Sequence, residues 1–194
     1  MRLVCSRAMP GEGCGLCIIG LGNVLCADDG LGVIALRLLA QRYTIPAGVN
    51  LVEGEMRGLG LLPALEQASA AILVDACCGA GGPGSLRRLA GPKLLRATAD
   101  QAFVHGAGVA GLLDAARGLG RLPAQVVMLG VVPATLELGL GCSPAVEARL
   151  PRLLAGIANE AGRLGHRLPL RPGRLRPLEP SASCAARIVR GEPA

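Results

Sequence analysis

Five apolar runs alternate with stretches of helical period along this 194-residue chain. "CIIGLG" (17–22) reads as a buried strand ending in glycines. From Asp29 the period lengthens: Leu31, Ile34, Ala35 and Leu38 fall at i, i+3, i+4 and i+7, one face of a helix. "VNLVEG" (49–54) is a second strand, and 59–68 a short helix broken at Pro63. "AAILVDACC" (70–78) is a third strand, apolar up to Asp75, as suits a parallel sheet covered on both faces. "GSLRRL" (84–89) is a fourth. Val109, Leu112, Leu113 and Ala116 repeat the helical stripe, and "AQVVMLGVV" (124–132) is a fifth strand. Ser143-Pro144 opens a long helix, with Ser as N-cap and Pro at the first helical position. Pro151 is expected to kink it. Alternating strands and helices predict an α/β fold: a three-layer αβα sandwich with a twisted, mostly parallel five-stranded sheet. The reading divides the chain into an irregular N-terminal extension (1–15), one α/β domain (16–164) and a Pro/Arg-rich disordered tail (165–194).

Composition narrows the function classes. The only aromatic residues are Tyr43 and Phe103, so the core is aliphatic and no base-stacking nucleic-acid surface is available. The net charge of +6 is uneven: residues 1–160 hold 13 basic and 12 acidic groups, whereas residues 161–194 hold 7 and 2. A balanced body gives no reason to expect nucleic acid as partner. There is no secretory h-region and no apolar run of membrane-spanning length, so the expectation is a cytoplasmic protein without membrane insertion; a monomer is the expected state. The eight cysteines are then reduced thiols. Cys14-x-x-Cys17 reads as lying ahead of the first strand, and no second pair has zinc spacing.

Ligands in open parallel sheets sit beyond the carboxyl ends of the strands. That rule points to Gly22–Asp29, Glu53–Arg57 and Asp75–Gly82. An ionised Asp75 in apolar surroundings is costly unless paired or metal-bound, although it could also cap a turn. Asp28 or Asp29 could cap the helix that follows, and one carboxylate suffices for that. His105 is the only histidine between residues 1 and 165. Two carboxylates and an imidazole suit a borderline divalent metal with open positions, if they converge. A dinucleotide fingerprint is only partial: Gly20 and Gly22 fit, Leu25 stands at the third glycine, and Glu53 is a displaced stand-in for the ribose-binding acid. No Gly-Lys-Ser/Thr and no Gly-x-Ser-x-Gly occurs. A Cys77–His105 pair is conceivable, but a carboxylate- or metal-activated water is the better candidate for hydrolysis.

Taken in order, "IIGLGNVLCADDGLGV", "ILVDAC", the "VHG" ahead of a helix and "VVMLGVVP…LELGLGCSPAVEARLP" resemble the hydrogenase maturation proteases, from about Cys17 to Gly162. The resemblance implies an endopeptidase that trims the C-terminal extension of a nickel-iron hydrogenase large-subunit precursor. It implies Asp29, Asp75 and His105 as metal contacts, with Asp29 and Asp75 catalytic. The nickel belongs to the substrate rather than to the protease. Gly22, Asn23, Glu55 and Arg57 are the candidate substrate contacts. "EGEMRG" (Glu53–Gly58) departs from the Asp-Gly-Gly-Thr-like segment common after the second strand, which bears on which large subunit is recognised. The competing readings are an NAD(P)-binding oxidoreductase and a non-enzymatic nickel chaperone.

Overall fold

A computed structural model describes residues 14–99 and 106–172. The strands are β1 (Cys14–Leu21), β2 (Val49–Glu55), β3 (Ala68–Ala76), β4 (Leu86–Ala90) and β5 (Gln125–Val131). The helices are α1 (Leu31–Arg42), α2 (Leu62–Glu66), α3 (Pro92–Ala99), α4 (Gly106–Gly118), α5 (Pro144–Glu147) and α6 (Leu150–Arg163). The sheet order is β2-β1-β3-β5-β4. β2, β1, β3 and β5 are parallel, and β4 closes the edge antiparallel to β5. The central strand is therefore β3, flanked by β1 and β5, and β1 and β3 are almost wholly buried.

Side chains alternate across a strand, so the sheet feeds two cores. Ile18, Ile72, Val74 and Leu129 face α1 and α6, where Leu31, Ile34, Leu154 and Ile157 meet them. Ile19, Ala71, Leu73 and Met128 face the other layer, with Leu61, Leu65, Leu94, Val109, Leu112 and Leu113. All four stripe positions expected of α1 are buried, and so are Val33, Leu36 and Leu39, because the helix is wedged between the sheet and α6.

Several local expectations are revised. β1 begins at Cys14, so Cys14-x-x-Cys17 lies inside the strand and Cys17 is a buried core residue. Residues 58–66 form a 3-10 turn (Gly58–Leu61) followed by α2, with Pro63 in the first turn rather than breaking a helix. Proline is tolerated there because no intrahelical N–H bond is due. α3 is not among the expected elements; it carries Leu94 into the core, with Ala97 packed beside it. Ser143 caps α5 by accepting from Val146 N, as expected, but the helix ends at Glu147 and restarts at Leu150 with Pro151 in its first turn. The proline divides two helices instead of kinking one.

The folded body also extends beyond residue 164. Leu168 is buried, and Tyr43 and Leu170 form an antiparallel bridge. Thr44 N donates to Pro169 O at 2.8 Å and Arg171 N to Arg42 O at 2.8 Å. Residues 165–172 thus cover the end of α1. No helix among the described residues is long and apolar enough to cross a membrane.

Candidate active site

The site is built at the carboxyl ends of β1 and β3, which neighbour each other in the sheet. After Leu21 the chain turns at Gly22, whose φ of 112° favours glycine. Its N–H donates to Glu55 O at 3.1 Å, tying the end of β1 to the end of β2. Asn23 then organises the turn: Oδ1 accepts from Leu25 N at 3.0 Å and Nδ2 donates to Cys26 Sγ at 3.3 Å. A side chain that bonds its own backbone two residues on is an Asx turn. A 3-10 turn, Ala27–Gly30, follows and carries both carboxylates into α1.

Asp28 and Asp29 do different work, and neither caps α1, whose N-cap is Gly30. Asp28 is fully buried and reaches across to the segment after β5. It accepts four hydrogen bonds: from Ala134 N at 2.7 Å, Thr135 N at 3.2 Å, Ser143 N at 2.6 Å and Ser143 Oγ at 2.8 Å. It is a clamp between two loops more than 100 positions apart. Asp29 is 5% exposed, and its Oδ2 accepts from Asn23 N at 2.8 Å, within its own turn.

Asp75 is fully buried near the end of β3, opposite Gly130 of β5. Its Oδ1 accepts from Ala76 N at 2.8 Å. The 3-10 turn bearing Asp29 packs against β3, and a methyl placed on Gly32 would collide with the carbonyl oxygens of Val74 and Leu21. Glycine at 32 is thus demanded by the close seating of α1 on β1 and β3. This is how the sheet brings Asp29 and Asp75 to one edge.

The remaining candidates divide. Gly22 and Asn23 shape the turn. Glu55 (φ 48°) and Arg57 are exposed at the rim where β2 ends. His105 falls outside the described residues. α4 begins directly after it, and a Cβ added at Gly108 would lie 3.9 Å from Gly58 Cα, which puts the start of α4 beside the segment following β2. Among the described residues alone, no group of three or more His, Cys, Asp or Glu is placed to hold a metal ion.

Two alternatives lose their footing. Glu53, the stand-in for a ribose-binding acid, is engaged by Arg37 in a bidentate pair (Nε–Oε1 2.9 Å, Nη2–Oε2 2.7 Å). Two buried carboxylates also occupy the start of α1, where a pyrophosphate would need bare N–H groups. Cys77 is buried, and desolvation pushes its thiol up to about 12, so it is a neutral thiol at neutral pH. Nothing in the sequence separated the duties of Asp28 from those of Asp29; the partner of Asp28, Ser143, was visible only as a helix cap.

Fold and site together define an α/β protein with an acidic, not a phosphate-binding, sheet edge. The model of the hydrogenase maturation protease family matches residues 33–160, and the chain belongs to that family of endopeptidases. It is 30% identical over 141 residues to the hydrogenase 2 maturation protease of Escherichia coli (strain K12), covering 72% of this chain and 86% of that one. It is 34% identical over 149 residues to the hydrogenase expression/formation protein HupM of Azotobacter chroococcum mcd 1, covering 76% and 71%. Among solved structures, the hydrogenase maturating endopeptidase HybD from E. coli superposes with a TM-score of 0.77 at 28% identity, covering 81% of this chain and 98% of that chain.

Proposed function

We propose that this endopeptidase removes the C-terminal extension of a nickel-iron hydrogenase large-subunit precursor once nickel has been inserted. The observation that carries the reading is the pair of buried carboxylates, Asp29 and Asp75, at the carboxyl ends of adjacent strands. Asp29 and Asp75 each accept a backbone N–H, from Asn23 and Ala76, which holds both carboxylates at the edge. For a precursor that brings its own nickel, Asp29, Asp75 and His105 offer oxygen and nitrogen donors suited to that ion.

In this account the precursor docks at the edge formed by β1, β2 and β3, with Glu55 and Arg57 at its rim. Contact between nickel and the carboxylates holds the precursor in register. The extension then lies across the edge, and water attacks the scissile carbonyl. Fixing the reacting groups in place removes a large entropic part of the barrier. Cleavage becomes conditional on nickel because an empty precursor lacks the contact that sets the register.

The test compares Asp29→Asn and Asp75→Asn with the wild type on nickel-loaded precursor. Both amides are close in shape to the carboxylate, so folding should survive while trimming falls by at least 100-fold, a loss of about 2.7 kcal/mol of transition-state stabilisation. A variant that folds and trims at the wild-type rate removes its residue from the site.

A further inference from the structure

The segment between β5 and α5 carries Leu136, Leu138 and Leu140, which are 43%, 87% and 50% exposed. Leu25, 56% exposed, stands on the turn after β1. These two segments are stitched together. Ala27 N donates to Gly139 O at 2.8 Å and Gly139 N donates to Leu25 O at 2.9 Å, giving a parallel bridge between Cys26 and Gly139. The neck of the longer segment is closed by Asp28, which holds Ala134, Thr135 and Ser143 at once. Four large exposed apolar side chains therefore stand on two segments joined by this bridge, on a backbone fixed at neck and tip, and the segment with Leu25 runs directly into the 3-10 turn that bears Asp29.

An exposed apolar patch of this kind marks an interaction surface. A backbone already ordered at both ends loses little freedom when a partner docks, which lowers the cost of binding. The position selects the partner. The bridge ties these residues to the turn that bears Asp29, so a second copy of this chain seated there would crowd the approach to it. A substrate seated there is delivered to it.

We propose that Leu25, Leu136, Leu138 and Leu140 form the docking ledge for apolar residues of the large-subunit precursor, independently of its nickel. The ledge rests on the protease reading above and extends it: recognition is divided between an apolar contact that holds the protein chain and an acidic edge that meets the metal.

The experiment measures binding of nickel-free precursor, which is not cut in this account. Wild type is compared with Leu136→Ser/Leu138→Ser/Leu140→Ser, and with Leu119→Ser as control. Leu119 is 58% exposed and lies in the turn leading to the amino end of β5, at the opposite edge of the sheet. The triple variant should weaken binding at least tenfold, and the control should bind as wild type. With nickel-loaded precursor the triple variant should raise KM and leave kcat within about twofold. Absence of binding by wild type, or equal binding by wild type and triple variant, overturns the ledge. So does a wild-type dimer that the triple variant converts to monomer, which would make the ledge a self-association face. Wild-type binding without trimming of nickel-loaded precursor overturns the protease reading and leaves the ledge standing.

Discussion

Replacing Asp28 by Ala should unfold the architecture around the site without touching the residues assigned to its chemistry. The truncation removes the acceptor of three backbone N–H groups and one hydroxyl at once. Hydrogen bonds to a charged group contribute about 1.5–3 kcal/mol each, and four independent ones would sum to about 6–12 kcal/mol. The sum overstates the loss, since Ala134 is exposed and Thr135 and Ser143 half-buried, so water replaces part of what is removed. About 4 kcal/mol is the expected cost, a large share of the 5–15 kcal/mol typical of a domain. Urea unfolding at neutral pH reads it as a lower midpoint at unchanged slope. Asp29→Ala removes the acceptor of Asn23 N and should cost less, about 1.5–3 kcal/mol. Two adjacent aspartates would thus separate cleanly, one affecting stability and the other trimming. Equal stability of Asp28→Ala and wild type within about 1 kcal/mol would refute the clamp.

Two further predictions concern groups outside the proposed metal contacts. Glu160 is buried, takes a bidentate pair from Arg88 and a third bond from Arg163, and these guanidiniums hold its carboxyl below its ordinary range. A depressed native value means that the stabilisation is complete above the ordinary carboxyl value of 4.5 and is lost as pH falls through the native one. Glu160→Gln should cost about 2 kcal/mol at pH 7, less than a fully buried pair because both arginines stay hydrated, and the gap to wild type in thermal unfolding should close on acidification below pH 4.5. A gap that persists into strong acid rejects the assignment. Cys77→Ser should trim precursor within a few-fold of wild type, because a thiol held at about 12 supplies no nucleophile; mass spectrometry after alkylation of the native protein should find exposed Cys78 modified and Cys77 protected.

The sequence disclosed the sheet well, and the reason is physical. β1, β3 and β5 are apolar on both faces, and a long apolar run bounded by glycine has few other fates in a folded chain. The α1 stripe was equally legible. α3 was missed because an eight-residue helix spans barely two turns and leaves almost no period to read. The split at Pro151 was half legible: proline announces a disruption, but whether a helix bends or restarts depends on what packs around it. At the site, Gly20 and Gly22 looked like phosphate-loop glycines because a tight strand-to-helix turn needs glycine whatever it binds. What the local pattern could not carry was the pairing of Asp28 with Ser143, since a contact spanning 115 positions leaves no trace in spacing. The ledge was invisible for the same reason: Leu25 and Leu136–Leu140 become one surface only through the Gly139 bridge.

The central claim is that the acidic edge reads nickel carried by the precursor. The most direct measurement follows trimming of one purified large-subunit precursor by wild-type enzyme, nickel-free and nickel-loaded, by the loss of mass of its C-terminal extension. The account predicts cleavage of the loaded precursor and none of the empty one under identical conditions. Equal cleavage of both would contradict it.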